Sequence, residues 1–504
     1  FNSLLRPLVS SGILHPVIPM QRKFLTNLGF LLLLNLLIKP FWIFGIDRTV
    51  QNVTGAEDFG FYFAIFNFSF LFNILLDFGI TNFNNRNIAQ NSQLLNKHFS
   101  SILIMRFLLA VVYFVVTLSL GLLWGYRGHE LTILGLLGLN QFFISFILYL
   151  RSNVSALLHF KTDSILSVLD RILMIAICSV LLWGKVTTES FRIEWFVYAQ
   201  TAAYALTALI ALLVVIKKAS FRRLNWNWPF FMMIMKQSMP FAILVLLMTF
   251  YNRIDSVMIR RLLHGDEGNI QSGIYAHAYR LLDASNNIAY LFSVLLLPLF
   301  AKLIKQKQGV ENLVRLSFSL LFVSSVILAL GSVFYRVELM NLMYDHYINE
   351  SASVFAVLMG CFISISATYV FGTLLTANGN LKQLNILAAT GMVMNLSLNI
   401  FLIPRFGALG SAWASLVTQS IMAVAQVVLA CIYFRFRINL RYLGVLAIYA
   451  MGVVAINFLC ISLGFPWLKS LGIMISASLI LAAALRLLDI GNFIRIVTGS
   501  KTNV

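Results

Sequence analysis

The chain is written almost entirely in apolar runs of about 20 residues, long enough to cross the hydrocarbon core of a bilayer as helices. About fourteen such runs are legible, at 24–46, 59–83, 99–124, 131–155, 164–184, 195–216, 237–262, 273–300, 314–334, 351–377, 384–403, 408–434, 442–464 and 470–487. The pattern predicts an all-α polytopic membrane protein. No polar stretch between the runs is long enough to bury a core of its own, so no soluble domain is expected.

The connections alternate in charge. One set begins with Arg6, Arg22 and Lys23 and continues through Lys97, Lys161, Lys217, Arg222, Lys302, Lys382, Arg435 and Arg495. It carries about 19 cations and few acids, whereas the opposite set has about 9 cations against about 11 acids, including Glu57, Asp58, Asp266 and Glu350. Positive loops stay in the cytoplasm, so both termini are expected inside.

A weak internal repeat organises the runs. Ile46-Asp47 followed by Gly60-Phe61-Tyr62 is echoed by Ile254-Asp255 followed by Gly273-Ile274-Tyr275. The expected organisation is a cytoplasmic segment 1–23, an N-lobe 24–216 (helices 1–6), a basic cytoplasmic linker 217–236, a C-lobe 237–434 (helices 7–12), and 435–504 with helices 13 and 14 and a cytoplasmic tail. Six helices per lobe is an even number. The two pseudo-symmetric lobes are therefore expected to be parallel, related by an axis along the membrane normal, with a cavity between them. The linker is basic and aromatic (Lys217, Lys218, Arg222, Arg223, Trp226, Trp228), which suits an anionic membrane surface.

Composition agrees with this reading. Of 504 residues, 60% are hydrophobic and 11% charged, where a soluble domain has about 25% charged. The net charge of +19 belongs to the cytoplasmic loops, so nucleic acid is not expected as a partner. Cys178, Cys361, Cys431 and Cys460 are scattered through apolar runs and read as packing residues, with no metal or disulfide pattern. The first 23 residues contain Pro7, Pro16 and Pro19 and no compact apolar segment ahead of a cleavage site, so no removable signal peptide is expected. No nucleotide-binding loop or H-E-x-x-H motif occurs, and the seven histidines are dispersed. Neither catalysis nor a cofactor is expected.

The charges inside the apolar runs are the informative residues, because a charge at the bilayer centre costs at least about 2.5–3.5 kcal/mol and usually faces a bundle interior or a wet cavity. Lys39, Arg253 and Arg280, with Arg151 and Arg171, form a candidate cationic set for an anion such as phosphate. Lys39 precedes Pro40, which is expected to break the helical hydrogen bonding. Asp77, Asp170 and Asp283 are candidates for structural pairing. Asp283 lies three residues from Arg280 on one helical face, whereas Asp170 and Arg171 are adjacent and do not face each other. Arg106, Lys236 and Arg315 lie near the basic side and are expected to snorkel to the interface. A second set, Asp255, Asn395, Asn399 and Thr418, is either a helix-fastening network or a cation site. The small-residue stretch Phe406–Ser415 is read as a close-packing face.

In their order along the chain, several stretches resemble the polysaccharide (O-antigen, Wzx-type) flippases of the multidrug/oligosaccharidyl-lipid/polysaccharide (MOP) exporter superfamily. They are Lys39-Pro40-Phe41-Trp42-Ile43-Phe44-Gly45-Ile46-Asp47-Arg48, Leu76-Asp77-Phe78-Gly79-Ile80, Tyr251-Asn252-Arg253-Ile254-Asp255, Asn395-Leu396-Ser397-Leu398-Asn399 and Ile403-Pro404-Arg405-Phe406-Gly407. The resemblance covers about residues 24–490. It implies a two-lobed fold of 14 helices, the last two outside the repeat, and alternating access at the bacterial inner membrane. The implied substrate is an undecaprenyl-diphosphate-linked oligosaccharide, a unit of O-antigen, lipopolysaccharide or another polysaccharide. Lys39, Arg253 and Arg280 are then the expected diphosphate cations, pointing across the cavity. Na+ or H+ is the implied coupling ion, held by Asp255, Asn395, Asn399 and Thr418. A monomer working beside polysaccharide polymerase and assembly proteins is implied as well. The alternatives are an exporter of a drug or of the peptidoglycan lipid precursor, or a membrane glycan polymerase or glycosyltransferase.

Overall fold

The computed structural model describes residues 34, 37–81, 94–157, 159–184, 189–217, 227–263, 265–436 and 439–488. The segment 1–23, residues 218–226 of the basic linker and residues 489–504 of the C-terminal tail lie outside these. Among the described residues every long element is a helix. In chain order they are α1 (Arg48–Leu71), α2 (Leu94–Trp124), α3 (His129–Ala156), α4 (Phe160–Trp183), α5 (Ile193–Ile216), α6 (Trp228–Leu262), α7 (Asp266–Lys305), α8 (Glu311–Phe334), α9 (Arg336–Met343), α10 (Ile348–Ala377), α11 (Leu381–Phe434), α12 (Leu440–Ser462) and α13 (Trp467–Ala484). Ten of the described helices are long and apolar enough to span a membrane. The chain is an all-α, multi-pass membrane protein, as the hydropathy pattern predicts.

Two of these helices are pairs joined by a glycine. α1 turns at Gly55 (φ 79°) and α11 at Gly407 (φ 56°), both in the left-handed region that only glycine enters without strain. The turn at Gly407 matches the break expected between the runs 384–403 and 408–434. The turn at Gly55 falls within the polar stretch 47–58 expected between the runs 24–46 and 59–83, eight residues after Asp47.

The described residues cluster into two units. One holds the chain up to Val53 and from Phe72 to Met239; the other holds Thr54–Leu71 and everything from Pro240 onward. In the second unit, the part of α1 after Gly55 crosses α7 at very short range. A Cβ on Gly60 would lie 1.9 Å from the Asn269 carbonyl oxygen, and one on Gly273 would lie 1.9 Å from that of Ala56. The Ser272 hydroxyl donates to the Gly60 carbonyl at 3.1 Å. The two glycines that mark the sequence repeat thus serve one crossing. In lipid there is little hydrophobic drive between helices, so close backbone approach at small residues supplies the attraction.

Neither backbone can retreat without breaking its own helix. Gly273→Val is therefore expected to cost about 3 kcal/mol, the upper end for overpacking, and to collapse the yield of monodisperse protein on size-exclusion chromatography. Gly444→Ala, where a Cβ meets nothing within 4 Å, should leave that yield unchanged.

The last two helices belong to the second unit. Tyr449 and Val453 of α12 and Met474 of α13 pack on Val323 and Val326 of α8.

Candidate functional site

In the first unit, the chain before α1 carries the site. Pro40 does not end the helix. The backbone stays helical through it (φ −62°, ψ −41°) and widens into a π-helical segment, Phe41–Asp47. A wide turn absorbs the hydrogen bond that proline cannot donate, and such turns recur at functional positions. The expected break at Pro40 is replaced by this widening. It leaves Lys39 solvent-accessible and Trp42 buried, with the Trp42 ring stacked on Phe196 at 6.0 Å.

Arg171 of α4 lies over the Trp42 ring at 5.4 Å. Arg171, Asp170 and Arg151 are charges in the surroundings of Lys39. Arg151 donates from Nε to Asp163 at 2.8 Å across the short α3–α4 turn. Arg171 and Asp170 approach to 3.6 Å even though adjacent helical positions point apart. That is a loose ion pair, too long for a hydrogen bond. The first unit therefore brings Lys39, Arg151 and Arg171 into one electrostatic neighbourhood, with Asp163 and Asp170 offsetting part of the charge. Asp163 was not singled out from sequence; its position at the first turn of the next helix was the available signal.

Arg106 corrects the snorkelling expectation. It is only 2% exposed and pairs with Asp77. It also donates to the Leu76 carbonyl at 2.9 Å and the Ser145 hydroxyl at 2.8 Å, and lies over the Tyr149 ring. Asp77 accepts in addition from the Gly79 backbone and from Thr81, fixing a turn in which Phe78 and Gly79 have positive φ. A buried acid partner removes the reason to snorkel. Arg315 and Lys236 are exposed, with Arg315 over Tyr442.

In the second unit, α6 and α7 carry the four charges Arg253, Asp255, Arg280 and Asp283. The sequence pairs Asp283 with Arg280; the structure pairs it with Arg253, at 2.9 Å. Arg253 Cζ lies 5.0 Å from the Phe70 ring centroid and 5.1 Å from that of Tyr279. Arg280 lies over Phe59 and Phe63 of α1. The phenylalanines draw the Arg280 guanidinium towards α1 by cation–π attraction, which leaves Asp283 to Arg253. Phe59, Phe63 and Phe70 were not flagged from sequence; their i, i+4, i+11 spacing on one helical face was the signal.

Asp255 is 1% exposed and accepts three hydrogen bonds. They come from the Tyr275 hydroxyl at 2.6 Å, from Asn399 Nδ2 at 2.8 Å, and from the Ser415 hydroxyl. Asn399 also donates to Asn395 Oδ1 at 3.0 Å, and Asn399 Oδ1 accepts from Ser411 at 2.7 Å. The Gly407 turn makes this possible by folding the two halves of α11 back to back. Gln271 of α7 caps the start of the second half by accepting from the Ala408 backbone N–H at 2.9 Å. The stretch Phe406–Ser415 thus does more than pack closely.

The structure brings Asp255, Asn395 and Asn399 into one network. It adds Tyr275, Ser411 and Ser415, which sequence reasoning missed although the two serines sit at i, i+4 on the small-residue face. Thr418 Oγ1 and Asn395 Nδ2 are buried without a hydrogen-bond partner among the described residues. Asp255 has no ion-pair partner among them either. The Asp255 carboxylate thus sits among hydroxyl and amide groups, with no cation beside it among the described residues.

No curated protein sequence matches the chain. Among solved structures, the lipid II flippase MurJ in an inward-closed conformation superposes with a TM-score of 0.66 at 13% identity, over 90% of this chain and 98% of that one. An inward-facing multidrug-resistance MATE transporter of the MOP superfamily gives 0.59 at 14% identity, over 82% and 98%. A MOP superfamily transporter from Pyrococcus furiosus, described as having a binding pocket of reversed polarity, gives 0.58 at 13% identity, over 81% and 95%. These likenesses show a shared fold. The profile of the polysaccharide biosynthesis protein family matches residues 24–304, more than half of the chain, and the chain belongs to that family.

Proposed function

We propose that the protein is a flippase that moves an undecaprenyl-diphosphate-linked oligosaccharide, such as an O-antigen repeat unit, across the bacterial inner membrane by alternating access. The observation that carries this reading is Arg253, a cation at membrane depth whose faces are held by two aromatic rings. An Arg so held offers the edge of its planar fork to phosphate oxygens. Lys39, Arg171 and Arg151 supply a second cationic patch of the same character. A diphosphate cannot cross hydrocarbon bare, because desolvating it costs many kcal/mol, so fixed cations have to replace its water shell. The prenyl tail stays in lipid throughout.

The Asp255 network is the proposed site for the coupling ion, Na+ or H+. The oxygens of Asp255, Asn395, Asn399 and Thr418 would hold Na+, and Asp255 alone would carry H+. Cytoplasmic termini and action as a monomer beside polymerase and assembly proteins complete the proposal.

Vesicles containing the purified protein should flip a fluorescent undecaprenyl-diphosphate oligosaccharide faster than protein-free vesicles do, with the lipid leaving chemically unchanged. No acceleration would remove the flippase reading, and a lengthened glycan would replace it with a polymerase. The peptidoglycan precursor carries the same prenyl diphosphate, so its rate in the same vesicles separates the two lipids by their sugars.

A further inference from the structure

We infer that the face of α7 from Asp283 to Tyr290, together with Tyr369 of α10, is a subsite for a sugar ring of the transported glycan. The inference rests on the flippase reading above and adds to it a place where the carbohydrate itself is held.

At 100° per residue, positions 283, 286, 287 and 290 fall within a sector of about 100° on one side of the helix. Asp283 is one-third exposed, Asn287 is exposed and Tyr290 is 53% exposed. Asn286 adds a buried side-chain oxygen with no hydrogen-bond partner among the described residues. The depth of these groups matters. At 1.5 Å per residue, Tyr290 lies about 18 Å and Asp283 about 28 Å along the helix from Lys302, which marks the basic end. That places them at hydrocarbon depth. A carboxylate and an exposed amide do not face lipid there; they line space that water enters. A tyrosine exposed on the same sector is therefore exposed to that wet space and not to acyl chains.

The ring is built in rather than loose. Tyr290 packs edge-on against Tyr369, with centroids 6.3 Å apart and planes at 64°. One turn further along, Ser293 and Thr373 of the same two helices are hydrogen-bonded at 2.8 Å. The sector thus offers a fixed aromatic face, the exposed amide of Asn287, whose Nδ2 also donates to the Asp283 carbonyl at 2.8 Å, and the free edge of a carboxylate. A sugar ring needs this combination. Its C–H face lies on an aromatic plane, and its hydroxyls, each both donor and acceptor, bond to planar polar groups at the rim.

A cation is the weaker match. The only acid in the sector already accepts from Arg253, and no cluster of three metal-ligating side chains occurs among the described residues. Position agrees with the reading as well. Asp283 touches the proposed diphosphate cation on one side, and Tyr290 follows about 10 Å further along the helix, where the sugars next to the diphosphate would fall.

The test compares two lipids on the full-length protein in detergent by native mass spectrometry: undecaprenyl diphosphate, and the undecaprenyl-diphosphate glycan extracted from producing cells. Tyr290→Ala is expected to weaken retention of the glycan lipid about tenfold, the equivalent of one lost aromatic contact, and to leave undecaprenyl diphosphate unaffected. Asn287→Ala should show the same selectivity at smaller size, and Tyr290→Phe should bind both lipids as the unmutated protein does. Equal losses for the two lipids, or no loss for either, would overturn the subsite. Unmutated protein that retains neither lipid would instead overturn the flippase reading on which the subsite rests.

Discussion

Arg253→Ala is expected to abolish export of the glycan, with a drop of at least about 100-fold in flipping rate, while the protein reaches the membrane at its normal level. Charged hydrogen bonds are worth about 1.5–3 kcal/mol each, and alanine removes at least two that a diphosphate could accept. Of the five N–H groups of Arg253, one is committed to Asp283. Phe70 and Tyr279 occupy its faces, so the remaining donors point along the edge. The fold should survive the substitution, because the side chain of Asp283 is 33% exposed and water can take over its solvation.

A purely structural ion pair makes the opposite forecast. If Arg253 served only to fasten Asp283, Asp283→Asn would be as damaging as Arg253→Ala, and the double variant would be no worse than either. An anion site predicts that Asp283→Asn retains transport or binds the lipid more tightly, since it releases the guanidinium from a competitor. Arg253→Lys keeps the charge but loses the planar fork and part of the stacking, so it should fall between. Flipping rates in vesicles for the four proteins decide the matter. Equal loss in Arg253→Ala and Asp283→Asn would assign the pair to structure.

The membrane-spanning organisation was legible because lipid leaves a chain few choices: each crossing has to be a long apolar helix that satisfies its own backbone. Hydropathy finds such helices, and glycine finds their turns, as at Gly407. What stayed illegible was chosen by contacts between distant segments. Nothing local reveals that Asp283 meets Arg253 and not Arg280, three residues away. That outcome depends on Phe59 and Phe63, more than 200 residues earlier in the chain, drawing Arg280 to themselves. Arg106 was misread for a similar reason. Its place near the basic side suggested snorkelling, but its partner Asp77 sits on a turn that only the folded chain presents. The Asn395–Asn399 pair was visible as i, i+4 spacing. Its hydrogen bonds to Asp255 and Ser411 required the hairpin at Gly407 to be formed.

Asp255→Asn is expected to remove all dependence of flipping on an ion gradient while leaving the protein at least as stable as the unmutated form without the coupling ion. A carboxylate at 1% exposure with no ion-pair partner among the described residues is costly, and three donated hydrogen bonds offset only part of that cost. A bound cation would repay the rest. The unmutated protein should therefore gain thermal stability from its coupling ion, by about 2.7 kcal/mol at a hundredfold excess over the dissociation constant.

A sodium site gives a thermal shift between NaCl and KCl at fixed pH. A proton site gives none there and a shift with pH instead. Asn at position 255 keeps the shape and can still pair with Tyr275 and Ser415, but it carries no charge to neutralise, so both shifts should vanish. A variant that keeps either shift, or still follows the gradient, would place the coupling site elsewhere. Substrate binding at Arg253 should persist in the variant but lose its response to the ion. The route for that response is short. Tyr275, which holds Asp255, stacks on Tyr279 with ring centroids 5.7 Å apart, and Tyr279 lies against the Arg253 guanidinium. An ion that draws Asp255 away from the Tyr275 hydroxyl releases the first ring of that pair and, through the second, the surface on which Arg253 rests.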